Sequence, residues 1–290
     1  MPGGTSTLRA ATYTTLAMLA FAGNSILCRL ALREDAIDPA SFTSIRLAAG
    51  AVTLLLILRL TRRGQSLREH GSWISAAMLF LYAVCFSYAY LSLSAGAGAL
   101  ILFGCVQATM ILIGIVAGDR PGAREWIGWL IASAGLIWLL LPGVQAPPIS
   151  GALLMAAAGI AWGVYSIRGR SEADALGSTA SNFILSLAFV AVFAVLVVLA
   201  SNGTNISITG LLLAIASGAL TSGIGYVIWY AALEYLSGMQ AALVQLSVPA
   251  IATAGGVLLL AEPLTVRLLI ASALVLGGIS LALTRKPVSR

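Results

Sequence analysis

The sequence predicts an all-α membrane protein: ten transmembrane helices built as an inverted repeat of two five-helix halves. Three observations lead there. The 290 residues are 60% hydrophobic and 9% charged, with a mean hydropathy of +1.00, whereas helices in water need a polar face that such a composition cannot supply. The apolar stretches run unbroken instead of alternating every second residue, which argues against a barrel and for helices. The chain also repeats itself: under a shift of 143 positions Ser237 falls on Ser94, Ala242 and Leu243 on Ala99 and Leu100, Glu262 on Asp119 and Gly278 on Gly135.

Ten stretches qualify as spans, at 11–32, 40–60, 73–92, 95–117, 123–141, 150–167, 177–200, 208–231, 238–260 and 264–284, each close to the ~20 residues that a bilayer core requires. The first continues past the small residues Ala20-Phe21-Ala22 to Leu32, so it reads as a span and not as a cleaved leader. Only 61–71 (TRRGQSLREHG) resembles a real loop. The proline-rich linker 141–149 separates the repeats 1–145 and 146–290. Pro249 lacks an amide hydrogen and must kink the ninth span, and Pro263, just after Glu262, is placed to start the tenth. Pro249 and the Gly255-Gly256 pair are therefore candidate hinges for gating.

The net charge of +6 reflects topology, because Arg and Lys collect at the ends of spans; no nucleic-acid partner is implied. Placing the N-terminus in the cytoplasm puts Arg9, Arg59, Arg62, Arg63, Arg68, Arg120, Arg124, Arg168, Arg170, Arg285, Lys286 and Arg290 inside. Only Arg29, Arg33 and Arg267 then lie outside, with Arg46 within the membrane. Both termini are expected in the cytoplasm, and an odd number of spans per half inserts the halves with opposite polarity. In many transporters that arrangement encloses a substrate site at the membrane midplane. Cys28, Cys85 and Cys105 all fall within apolar runs and read as packing residues.

Specific residues carry a resemblance as well: Ala22-Gly23-Asn24-Ser25 in span 1, Pro39 with Arg46 in span 2, Ala161-Trp162 with Arg168 in span 6, and Pro249 through Glu262-Pro263-Leu264-Thr265 in spans 9 and 10. With these the chain resembles, over essentially its whole length, the EamA-type branch of the drug/metabolite transporter superfamily. The resemblance implies a basket of ten helices around a central cavity in the inner (plasma) membrane, exporting small metabolites. The size and the aromatic-rich interior are similar to the family's amino-acid exporters. Two positions depart from the pattern. Val106 stands where the second half has Pro249, so the first half should bend less there, and Asp119 stands where the family more often has Glu.

Candidate site residues follow from what is costly in a membrane. Arg46 is an intramembrane charge, expensive enough to read as functional; it could bind a substrate carboxylate. The stronger reading is structural, with Arg46 snorkelling or pairing with Glu34, Asp35 or Asp38. Glu262 is a second structural charge. Asn24, Gln107 and Gln245 lie at mid-depth, where a carboxamide both donates and accepts and so suits a zwitterion; the alternative is a hydrogen bond gluing two spans, worth ~1 kcal/mol. Tyr82, Phe86 and Tyr90 recur every four residues on one face. Trp162 shares a face with Tyr165, and Tyr226 with Tyr230, so Tyr82, Trp162 and Tyr165 are candidates to stack on substrate. Tyr13, Trp73, Trp126 and Tyr235 near span ends read as an interfacial belt.

Gly114, Gly118, Gly277 and Gly278 would permit close helix approach; a monomer is expected, with a dimer as the alternative. Asn202-Gly203-Thr204 and Asn205-Ile206-Ser207 match glycosylation acceptors, a pattern short enough to arise by chance. No span carries Asp, Glu or His near its middle, so the titrating group of a proton-driven antiporter has no counterpart. No nucleotide loop, histidine pair, cysteine cluster or buried acid-base pair is present either, which points away from an enzyme and from any metal or other cofactor. The expected partners are a small-molecule substrate and the lipid bilayer. The expected function is facilitated export of amino acids or similar metabolites by alternating access. The rivals are a proton-coupled drug or nucleotide-sugar antiporter of the same fold and a non-transporting structural membrane subunit.

Overall fold

A computed structural model describes residues 4–61, 71–118, 121–143, 145–169, 172, 174–200, 204–236 and 238–283. Of the sequence features above, Arg62, Arg63, Arg68, His70, Asp119, Arg120, Arg170, Asn202, Gly203, Ser237, Arg285, Lys286 and Arg290 lie outside the described residues. The described chain is helical: α1 (Gly4–Arg33), α2 (Pro39–Thr61), α3 (Trp73–Ala89), α4 (Ala95–Val116), α5 (Ala123–Leu140), α6 (Ile149–Gly169), α7 (Ala175–Ala200), α8 (Ile208–Ala216), a π-helical segment (Ser217–Ile224), α9 (Gly225–Leu233), α10 (Gly238–Gln245), α11 (Ser247–Leu260) and α12 (Val266–Leu283). From α8 through the π-helical segment to α9 the chain forms one span. Among the described residues, nine helices are long and apolar enough to cross a membrane, and Trp73–Ala89 is a shorter apolar helix.

Local chemistry sets where these helices begin. Side chains accept from the first turn at Asp38 (Ser41 amide, 2.8 Å), Asp174 (Gly177 amide, 2.9 Å), Ser207 (Gly210 amide, 3.0 Å) and Thr265 (Leu268 amide, 3.1 Å). Each satisfies one of the amides that a helix start leaves unpaired. Thr265 corrects the expectation for Pro263. The proline sits in the extended stretch before α12, and the threonine hydroxyl opens the helix. Pro249 behaves as its chemistry requires, with the span breaking at Leu246 just before it. The proline offers no hydrogen to the Gln245 carbonyl and its ring crowds that oxygen. In the first half, where Val106 replaces the proline, α4 is unbroken. Gly255 and Gly256 lie inside continuous helix, and a Cβ at either would meet Ile26 or the Glu262 carboxylate; the break is at Leu246.

Packing crosses between the halves. α1 packs on α8, α9 and α11, whereas α6 packs on α3 and α4, so each half's first helix lies against the other half. α5 and α12 pack along their length: a Cβ on Gly135 would meet Val275, and one on Gly278 would meet the Ala132 backbone. Because 135 and 132 become 278 and 275 under the shift of 143, these are the same contact read in both directions. Gly277 and Gly118 have open space beside them. Gly118, at φ +104° just beyond α4, serves the helix end and not an interface.

The two ends of the bundle are tied differently. At one end, the stretch between α1 and α2 pairs with the residues before α8, through Asp38 N–H to the Asn205 carbonyl (2.9 Å) and Ser207 N–H to the Ala36 carbonyl (2.8 Å). The Asn205 amide itself donates to the Asp35 carbonyl. Arg267 donates to the carbonyls of Leu139 and Leu141 at the end of α5. At the opposite end Ser72 N–H donates to Asn182 (2.9 Å) and Arg168 to Ser72 and Ser75 (3.1 and 3.2 Å). Tyr13, half-buried, packs there against the exposed Tyr235, and Trp73 and Trp126 are also exposed near helix ends.

Candidate functional site: a central cavity closed at one end

A cavity of about 670 Å³ occupies the middle of the bundle. All six sequence-predicted binding residues, Asn24, Tyr82, Gln107, Trp162, Tyr165 and Gln245, line it. They come from α1, α3, α4, α6 and α10, so the site exists only when both halves are packed together. The lining continues from mid-depth to Gly169, Glu172 and Leu233, toward the end that carries Arg168. In the other direction Tyr90, Leu93 and Leu100 are fully buried and the bundle is packed shut. Tyr90 is therefore not a wall of the cavity as the four-residue spacing suggested. Its hydroxyl donates to the Ala95 carbonyl (3.3 Å) and its ring covers Gly98, so it plugs the closed end.

Aromatic rings form one wall. The Trp162 ring lies 4.9 Å from Tyr82, 5.2 Å from Tyr165 and 5.6 Å from Tyr226, nearly parallel to the last two. Phe21 meets Tyr226 and Trp229 from α1. A flat or aliphatic group entering here would find ring faces at stacking distance, each contact adding ~0.5–1.5 kcal/mol beyond simple burial. The lining also carries the glutamines Gln107 and Gln245. Neither the Gln107 nor the Gln245 side chain forms a hydrogen bond with any described residue. Among the described residues neither glutamine makes an interhelical bond; both border the cavity, and Gln107 also borders a smaller pocket with Trp129 and Leu136.

Polar groups that the sequence did not single out complete the lining. Thr221 and Ser222 lie in the π-helical segment, whose wider turn brings them, with Ser217, against α1. Ser217 and Thr221 donate to the Asn24 carbonyl oxygen at 2.6 and 3.4 Å, fixing which way the Asn24 amide points. Thr179 joins the hydroxyls of Tyr165 (3.5 Å) and Tyr230 (2.5 Å). A cluster of Ser, Thr and Gly inside an otherwise apolar span, SGALTSGIG, is the one sequence signal that could have marked the π-helical segment, since π turns concentrate at functional sites.

Arg46 differs from its expected role. It is 3% exposed, donates to the Tyr82 hydroxyl (3.0 Å), and lies 5.2 Å from the Tyr82 ring centroid and 4.9 Å from that of Phe86. It neither snorkels nor pairs with Glu34, Asp35 or Asp38; no described carboxylate is within salt-bridge distance, and its Nη1 has no partner. The loop acids stay at the helix ends, where the Asp38 side chain caps α2 and Asp35 gives its carbonyl to Asn205. Two ring contacts at ~0.5–2 kcal/mol each and one charge-assisted bond of ~1.5–3 kcal/mol go only part way toward the several kcal/mol that burying an ion costs.

Glu262 has specific partners. One oxygen pairs with Arg29 (3.1 Å), and the other accepts the Ala95 amide (2.9 Å) at the first turn of α4. There a carboxylate is favoured by the helix dipole. Arg29 also donates to the carbonyls of Tyr90 and Leu91 (2.8 and 3.1 Å), and Arg33 to that of Leu260. These bonds join α1, α3, α4 and the α11–α12 turn across the closed end of the cavity.

Comparison with known proteins agrees with this architecture. The family model of the EamA-like transporters matches residues 8–141 and again 149–284. A Pseudomonas aeruginosa protein described as uncharacterized is 52% identical over 93% of both chains. The uncharacterized transporter YoaV of Bacillus subtilis is 22% identical over 84% of this chain and 86% of its own, and an uncharacterized transporter of Archaeoglobus fulgidus is 24% identical over 86% and 90%. One solved structure superposes with a TM-score of 0.64 over 96% of each chain at 21% identity, a likeness of fold. With the family model fitting twice, once in each half, the chain belongs to the EamA-like transporter family.

Proposed function

We propose that this membrane transporter exports amino acids with aromatic or other apolar side chains, as a facilitator working by alternating access between two halves inserted with opposite polarity. What chiefly supports this reading is the cavity: about 670 Å³, enough for one small metabolite, it is lined by the rings of Tyr82, Trp162, Tyr165 and Tyr226 together with Gln107 and Gln245. In size and aromatic-rich interior the chain is also similar to the aromatic amino acid exporter YddG. The α5–α12 seam supports opposite polarity: Gly128 lies against Ala282 and Gly135 against Val275, so the two equivalent helices run antiparallel, as a two-fold axis in the membrane plane requires and one along the membrane normal forbids. The cavity reaches the arginine-rich end that the charge bias places in the cytoplasm, so the described state is the one that would load substrate from inside.

Among the described residues Glu172, near the mouth, is the one carboxylate in the lining, which favours flux down a gradient over exchange with protons. Counterflow in proteoliposomes against a panel of amino acids, purines and cationic drugs, run with and without a pH gradient, tests the reading. Exchange of aromatic amino acids independent of the gradient is expected. Flux that requires the gradient identifies a proton-coupled antiporter, and no flux of any solute, with loss of a protein partner in Tyr82 and Trp162 variants, identifies a structural subunit.

A further inference from the structure

The closed end of the cavity is made of donors. The Tyr82 hydroxyl oxygen accepts from Arg46 Nη2 (3.0 Å) and from Asn24 Nδ2 (3.2 Å). A phenol oxygen accepts at most about two hydrogens, so its own proton is left over, and no described residue accepts it. The Asn24 carbonyl accepts from the Ser217 hydroxyl (2.6 Å), which turns the amide toward Tyr82, and one of its two hydrogens has no acceptor among the described residues. Behind both stands the guanidinium of Arg46, permanently charged, with no carboxylate partner and with Nη1 unmatched.

We infer that this end of the cavity is an anion subsite that receives a carboxylate, with Tyr82 and Asn24 as the donors in contact and Arg46 as the charge behind them. The argument is one of complementarity. A ligand group placed here meets two outward hydrogens and a positive potential in a low-dielectric site, so an acceptor bearing negative charge is favoured and an ammonium is opposed. Arg46 is a positioning residue: it holds the Tyr82 hydroxyl as a donor and supplies the field, with the rings of Tyr82 and Phe86 between it and the cavity. This assignment rests on the export reading for its ligand but not for its chemistry. It predicts that substrates carry a carboxylate and that cationic drugs are rejected. Inorganic chloride shares the chemistry and is the other possible occupant.

Calorimetry on the purified protein in nanodiscs separates the cases with a matched set: L-phenylalanine, its amide, 3-phenylpropionate and chloride. The wild type is expected to bind the two carboxylates at least roughly 10-fold more tightly than the amide, as loss of a charge-assisted bond implies. Arg46→Gln and Tyr82→Phe should bring that ratio close to one, while Arg46→Lys keeps part of it. Tyr82→Phe retains the ring, so it reports on the hydroxyl even if Arg46→Gln fails to fold. Binding of 3-phenylpropionate without phenylalanine would end the amino-acid reading and keep the subsite. Chloride saturating the site with the same Arg46 dependence would keep the anion chemistry and remove the carboxylate. Amide binding as tight as that of the carboxylates, or a ratio unchanged in both Arg46→Gln and Tyr82→Phe, would overturn the assignment.

Discussion

Gln107 and Gln245 show how a single residue's role can be read from what it does not touch. Both line the cavity and neither has a hydrogen-bond partner among the described residues, so replacing either breaks no bond within the described fold. Gln107→Leu and Gln245→Leu should therefore leave thermal stability of the detergent-solubilised protein nearly unchanged. They should weaken substrate binding by roughly 10-fold each, one hydrogen bond's worth, as measured by counterflow. Asn24→Ala should do more, because it also strands the Ser217 hydroxyl and removes one donor to Tyr82; a fall in melting temperature accompanies its loss of binding. The cavity residues were legible in the sequence because helical spacing and depth alone place Tyr82, Trp162 and the glutamines. The partners of Arg46 were not. Its charge suggested an acid nearby in sequence, whereas the groups it found, Tyr82 and Phe86, come from α3 and meet it only through tertiary packing.

At the scale of elements, the asymmetry between α4 and α10–α11 is the informative one. Pro249 breaks one and Val106 leaves the other whole, a difference the sequence carried in full, since the ring geometry of proline acts locally. The π-helical segment was not legible in the same way, because no local rule distinguishes it from α-helix and its support comes from contacts of Gly218 and Gly223 with α2. Pro249→Ala should restore the missing hydrogen bond and stiffen the span. The expected outcome is substrate binding within about twofold of wild type and slower exchange, read by comparing equilibrium binding with counterflow rates. The α5–α12 seam makes the opposite prediction. A side chain at Gly278 would strike the backbone of Gly128 and Ala132, so Gly278→Val should cost at least ~1–3 kcal/mol by overpacking. Gly277→Val, with open space beside it, should cost little; the melting temperatures of the two variants decide.

For the whole molecule, one cavity between two halves is closed toward one face by the Arg29–Glu262 bonds and opens toward the other. Composition alone was enough to read a helical membrane chain of the kind observed. Which end would be shut depends on side chains from α1, α3, α4 and the α11–α12 turn meeting at one point, and no window of sequence contains that. The most direct test is labelling from each side. With Cys28, Cys85 and Cys105 replaced by alanine, Ser222→Cys places a thiol in the cavity lining, and a membrane-impermeant maleimide can reach it from either face of oriented vesicles. The account predicts labelling from the cytoplasmic face alone in this background. Adding Glu262→Gln, which removes the charge that holds Arg29, should raise labelling from the outer face. Labelling of Ser222→Cys from the outer face alone, or an accessibility that Glu262→Gln leaves untouched, would contradict it.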